Sequence, residues 1–170
     1  MNRISCQPSP HQAADNQQPP TSGKCVWCGE YNLCGECTLW SIYPLCAAQV
    51  ETARRFLALC APISVGRFPS TGLSVIIEDA CGLPASHNSV EVAARQMGIR
   101  VERGRVAVNS RDVGIAAEVL HELALERGLD VIENVWFGAY QPREVARFAR
   151  RHHAALTELL DFAQAVGAAQ

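Results

Sequence analysis

The chain has 170 residues, of which 48% are apolar and 19% charged, and a formal net charge of −2. That length suits one domain, or one domain with a small appendage, and it allows a sizeable core. The charge balance excludes a basic nucleic-acid coat and an acidic tail; no apolar run nears the ~18 residues of a membrane span, and the first ten residues carry no apolar signal-peptide core, which predicts a soluble cytoplasmic protein.

Residues 1–24 hold four prolines and four glutamines and almost no large apolar side chain. Such a stretch buries too little surface to offset the entropy of ordering it, so it reads as a disordered tail. Residues 25–46 form a separate segment that holds five of the eight cysteines. Residues 47–170 read as a small α/β domain. The predicted fold class is therefore mixed α+β, with a β-hairpin and a long C-terminal helix in the larger part.

Strong helix formers over 47–60 predict a helix that stops near Pro62, with Val50, Ala53, Phe56 (or Leu57) and Cys60 on its inner stripe. Cys60 then serves as a small buried hydrophobe. Leu73–Ile77 is a short β-branched run and reads as a strand. Asn88–Met97 reads as a helix capped by Asn88 or Ser89 and stopped by Gly98. Ile99–Val108 reads as a hairpin turning at Arg103–Gly104, because only that register puts Ile99, Val101, Val106 and Val108 on one face. Ser110 is placed to cap a helix over 111–127, with Gly128 as its stop. Asp130–Phe137 is a candidate strand. Pro142 opens a last helix to about Val166, with Val145, Phe148, His152, Leu156, Leu159, Ala163 and Val166 inward.

Cys25, Cys28, Cys34 and Cys37 are spaced C-x2-C-x5-C-x2-C. Each C-x2-C turn folds two sulfurs toward one centre, and two such pairs fill a tetrahedral zinc site with no position left open. That closure makes a structural role the default. An iron–sulfur cluster would use the same four thiolates. Disulfides fit an unsignalled chain less well, and a redox site would need only one of the pairs. The segment resembles zinc-ribbon and zinc-knuckle modules in these four cysteines, over about 13 residues. Cys46, just before a predicted helix, is a possible alternative ligand, since a thiolate there gains from the helix dipole. Trp27, Tyr31, Trp40 and Tyr43 interleave with the cysteines and suit either a partner-docking surface or a cover over the metal.

Two motifs in the larger part suggest catalysis. Val119–Leu125 resembles the H-E-x-x-H helix of metallopeptidases, with His121 and Glu122 in place and Leu125 where the second histidine belongs. Arg147 and His152 match the R-x4-H spacing of HEPN ribonucleases, a spacing that abundant arginine also produces by chance. Arg143, Arg147, Arg150 and Arg151 give a local excess of positive charge on the side of their helix away from Val145 and Phe148, a candidate contact for a partner or for phosphates. Taken together, the sequence predicts a zinc-binding adaptor with a structural four-cysteine site, binding a protein partner before a nucleic acid. The alternative is a degenerate metallohydrolase built on His121 and Glu122, with His152 or His153.

Overall fold

The structure is a computed structural model that describes residues 47–64 and 68–168. The tail over 1–24 and the cysteine segment over 25–46 lie outside the described residues. Within them, six helices and a three-stranded antiparallel sheet make a mixed α and β fold. In chain order these are α1 (Ala47–Leu57), β1 (Phe68–Pro69), α2 (Ser70–Cys81), α3 (His87–Gln96), β2 (Val101–Glu102), β3 (Arg105–Val106), α4 (Ser110–Glu126), α5 (Pro142–Arg151) and α6 (His153–Ala168).

The hairpin has the register expected from its alternation, with Val101 opposite Val106 and Glu102 opposite Arg105. Arg103 and Gly104 both take positive φ, at 50° and 71°, as a tight two-residue turn between twisted strands requires. β1 adds a third strand alongside β3, giving the order β1-β3-β2. Pro62 does not merely end a helix: it bridges to Val108, and the neighbouring Ile63 amide donates to the Ala107 carbonyl at 2.8 Å.

Three expected elements differ. Leu73–Ile77 is not a strand but the middle of α2. Leu73, Ile77, Ala80 and Cys81 recur at helical spacing and are all buried, with α2 packed on α4, and that burial overrides the β-propensity of the run. Gly82 ends the helix at φ 69°, its amide bonded to the Glu78 carbonyl. Asp130–Phe137 forms no strand and runs as an irregular strap over α4. The C-terminal helix breaks at His152, which leaves helical geometry at φ −107°. The inward stripe still holds across the break, because the bend lets Phe148 and Leu156 both enter the core. Capping is offset as well: Ser86 caps α3 and Asn109 caps α4, each side-chain oxygen accepting the amide of the first helical turn.

The core joins Phe56, Leu57 and Leu59 to Leu73, Ile77, Val90, Leu120, Leu156, Leu159 and Leu160, all essentially without solvent contact. One polar cluster sits under the hairpin turn. The Ser70 hydroxyl donates to Glu91 Oε1 at 2.6 Å, the Ser70 amide bonds the Gly104 carbonyl, and Glu91 Oε2 faces Arg95 Nη2 at 4.0 Å. Glu91 thus ties the start of α2, the hairpin turn and α3 to one carboxylate that water hardly reaches. Glu91→Leu should lower the free energy of unfolding by about 3 kcal/mol, since it removes the carboxylate from a largely buried ion pair. Ser70→Ala should cost only about 1 kcal/mol. Urea titration of both variants checks this, and a loss below that of Ser70→Ala in the Glu91 variant would contradict the assignment.

Candidate functional site

α4 organises the surface on which candidate functional groups sit. The strap over 127–141 returns along α4 from its C-terminal end to its N-terminal end. Near the start of the strap, the Leu129 amide bonds the Ala124 carbonyl. One step on, His121 Nε2 meets the Ile132 carbonyl at 2.7 Å, and Phe137 lies edge-on to the imidazole with ring centroids 5.5 Å apart. A carbonyl only accepts, so His121 Nε2 carries the proton. Further along, the Tyr140 hydroxyl lies over Gly114 and donates to the Phe137 carbonyl at 3.1 Å. Burial, aided by the Glu118 carboxylate, pushes the Tyr140 pKa up and keeps this donor protonated. At the N-terminal end, Arg111 pairs with Glu144 in the first turn of α5.

This arrangement assigns His121 to fastening the strap. Its ring nitrogen is committed to Ile132, while Glu122 points to solvent and Leu125 occupies the next turn. His152 stacks on Phe148 with centroids 4.4 Å apart. No group of three His, Cys, Asp or Glu side chains able to hold a metal occurs among the described residues, so His121, Glu122 and His152 are not brought together. The geometry lends the hydrolase alternative no support.

The arginine face is brought together. Arg143, Arg147, Arg150 and Arg151 are all exposed and span about 100° of the α5 circumference, opposite half-buried Val145. Among the described residues none of the four makes an ion pair, whereas Arg54 and Arg55 share Glu51, Arg111 holds Glu144, and Arg127 holds Asp161 at 2.6 Å. The Arg111 guanidinium bonded to Glu144 keeps that carboxyl below the usual carboxylate range. Arg150 and Arg151 sit in the last turn, where the helix dipole favours a cation. Arg143 sits in the first turn, where the same dipole disfavours it by a few tenths of a kcal/mol or more. Helix stability therefore gives no reason for Arg143.

A groove of about 230 Å³ opens beside this face, lined by Leu123, Arg127, Ala149, Arg150, His153, Leu156 and Thr157. Trp136, 79% exposed, and Ile132, 65% exposed, stand on the outer side of the strap. Sequence reading placed both in a strand and missed their exposure. The available signal was the absence of a strict apolar–polar alternation over 130–137.

Cys60 and Cys81 are buried free thiols. Burial raises both, the Cys81 thiol to about 12 and the Cys60 thiol higher still. Neither supplies a thiolate at neutral pH. Cys25, Cys28, Cys34, Cys37 and Cys46, with Trp27, Tyr31 and Trp40, lie outside the described residues. No helix among the described residues is long and apolar enough to cross a membrane. No protein-family model, curated protein or solved structure matches the chain.

Gly114→Ala tests the strap. Inside an ordinary helix this change stabilises by about 0.5–1 kcal/mol. Here the new methyl overlaps the Tyr140 hydroxyl, so the sign should reverse to a loss of about 1–3 kcal/mol. Amide exchange over 129–141 should quicken while α1–α3 stay protected. A stabilised Gly114→Ala protein would show that the strap is not seated on α4.

Proposed function

We propose that this protein is a non-catalytic adaptor, stapled by a structural zinc ion on Cys25, Cys28, Cys34 and Cys37, that docks an acidic surface of a partner protein through α5. The observation that carries the docking half is the strip of four exposed arginines that form no ion pair among the described residues, while other arginines of the same body are locally paired. A protein partner is favoured over nucleic acid by the size of the strip. Ten residues of helix give about 15 Å of basic surface. Glu144 bounds it on one side, and the chain as a whole is net negative. A phosphate track would call for cations continuing along several nucleotides.

The zinc half rests on spacing and on elimination. Two cysteines are buried as protonated thiols, which leaves the ligand set to the N-terminal six. Four of those six carry the paired spacing of a closed tetrahedral site.

The docking half is tested by fluorescence anisotropy with a labelled glutamate-rich peptide and a single-stranded oligonucleotide of equal charge, both against the full zinc-loaded chain. The peptide should bind and weaken as salt rises, and the double variant Arg147→Glu/Arg151→Glu should bind it at least tenfold more weakly. Tighter binding of the oligonucleotide, or indifference to the double variant, overturns the protein-docking reading. The zinc half is tested by metal content and thiol counting. Purified protein should carry one zinc per chain, and iodoacetamide should modify two of the eight cysteines, Cys6 and Cys46, before chelation and six after it. Iron in place of zinc, or a count unchanged by chelation, defeats the structural-zinc assignment.

A further inference from the structure

The groove between α4, α5 and α6 shares Arg150 with the arginine strip, so the charged surface and the apolar hollow are continuous. We infer that this groove receives one bulky apolar side chain of the acidic partner segment, with a neighbouring carboxylate of that segment held by Arg150. The inference rests on the docking reading and specifies its partner: an acidic peptide with an apolar anchor.

Size and lining argue for a single side chain. The groove, at about 230 Å³, is smaller than the ~300–1,000 Å³ of sites that enclose cofactors or drug-sized ligands. Leu123 and Ala149 are half-buried on its walls and Leu156 is fully buried behind them, so its lining is largely apolar. The rim is graded in charge. Arg127 is already neutralised by Asp161 at 2.6 Å, whereas Arg150 bonds only the Ala146 carbonyl of its own helix, at 3.3 Å, and makes no ion pair among the described residues. A carboxylate arriving at Arg150 therefore gains a cation without displacing an existing pair. Arg147 and Arg151, one turn back and next in chain, extend the attraction along the strip. Such mixed anchoring suits an amphipathic segment whose apolar residue fixes its register and whose acids set its orientation.

The test compares two labelled peptides on the full zinc-loaded chain, identical and glutamate-rich except for one central leucine or alanine, with the oligonucleotide above as a third probe. The leucine peptide should bind at least tenfold more tightly, and the Thr157→Trp variant, which plugs the groove, should bring the two peptides level. Methyl resonances of Leu123 and Leu156 should shift with the leucine peptide alone. Equal binding of the two peptides, weakened in both by Arg147→Glu/Arg151→Glu, overturns the groove and leaves the arginine docking surface standing. Binding of neither peptide overturns both, and so does a preference for the oligonucleotide. The leucine–alanine comparison uses unaltered protein, so the inference stays open to refutation even where Thr157→Trp does not fold.

Discussion

Gly114 has no side chain, and the Tyr140 hydroxyl lies where one would project. That substitution of an aromatic ring for a missing methyl fixes where the strap over α4 ends. Where the strap ends decides where α5 begins, since Gln141 is its cap and Pro142 its first residue. The capping box between Gln141 and Glu144, and the Arg111–Glu144 pair, then lock that first turn to the start of α4. The arginine strip inherits its position from this chain of contacts. A glycine in the middle of a long helix costs about 0.5–1 kcal/mol relative to alanine, and here the packing it permits offsets that cost.

The distribution of charge follows the same logic. Arg54, Arg55, Arg95, Arg100, Arg111 and Arg127 each answer a nearby carboxylate: Arg54 and Arg55 share Glu51, and Arg55 also lies over the Phe162 ring at 5.0 Å. That arrangement holds the Glu51 carboxyl below its ordinary range, chiefly through the Arg54 hydrogen bond. Apart from the largely buried Glu91–Arg95 pair, these pairs are partly exposed and each stabilises the fold only slightly. Their importance is by contrast, because they show that acidic groups are placed where arginines need them. On α5 the only acid is Glu144, and it is spoken for by Arg111 and the capping box. Beyond Glu144 the polar face of this helix is cationic, and that charge is the basis of the proposed docking surface.

Much of this architecture was legible in the residues, and the failures have physical causes. The hairpin was readable because its turn chemistry and its alternation agree on one register. The helix α4 was readable because Ser110 and Gly128 bracket it as cap and stop signals within a residue or two of its ends. Leu73–Ile77 was not, because a short run of four apolar residues and one serine fits a buried strand and a buried helix alike, and only the packing of α2 on α4 decides between them. The strap was misjudged for a related reason. Val131, Ile132 and Val135 have strand-like chemistry, but their segment is ordered by side chains meeting α4 at His121 and Gly114, contacts that no local pattern encodes. The arginine face was legible from spacing alone, and its lack of ion pairs among the described residues was not, since that depends on where distant acids fall.

The two buried cysteines and the six N-terminal ones divide the chain chemically as well as along its length. Cys60 and Cys81 accept apolar surroundings that hold their thiols protonated, each pointing its sulfur at a carbonyl one helical turn back, Phe56 and Ile77 respectively. They act as core atoms, while polar side chains buried elsewhere in the body find partners, Ser70 with Glu91, Ser89 with Gln49 and His121 with the Ile132 carbonyl. The quartet of closely spaced cysteines lies ahead of this body in the chain, and the proposed zinc ion would be held there by four sulfurs. The proposed adaptor combines the two: a body that buries hydrocarbon and presents charge on α5, and a cysteine segment proposed to hold a metal.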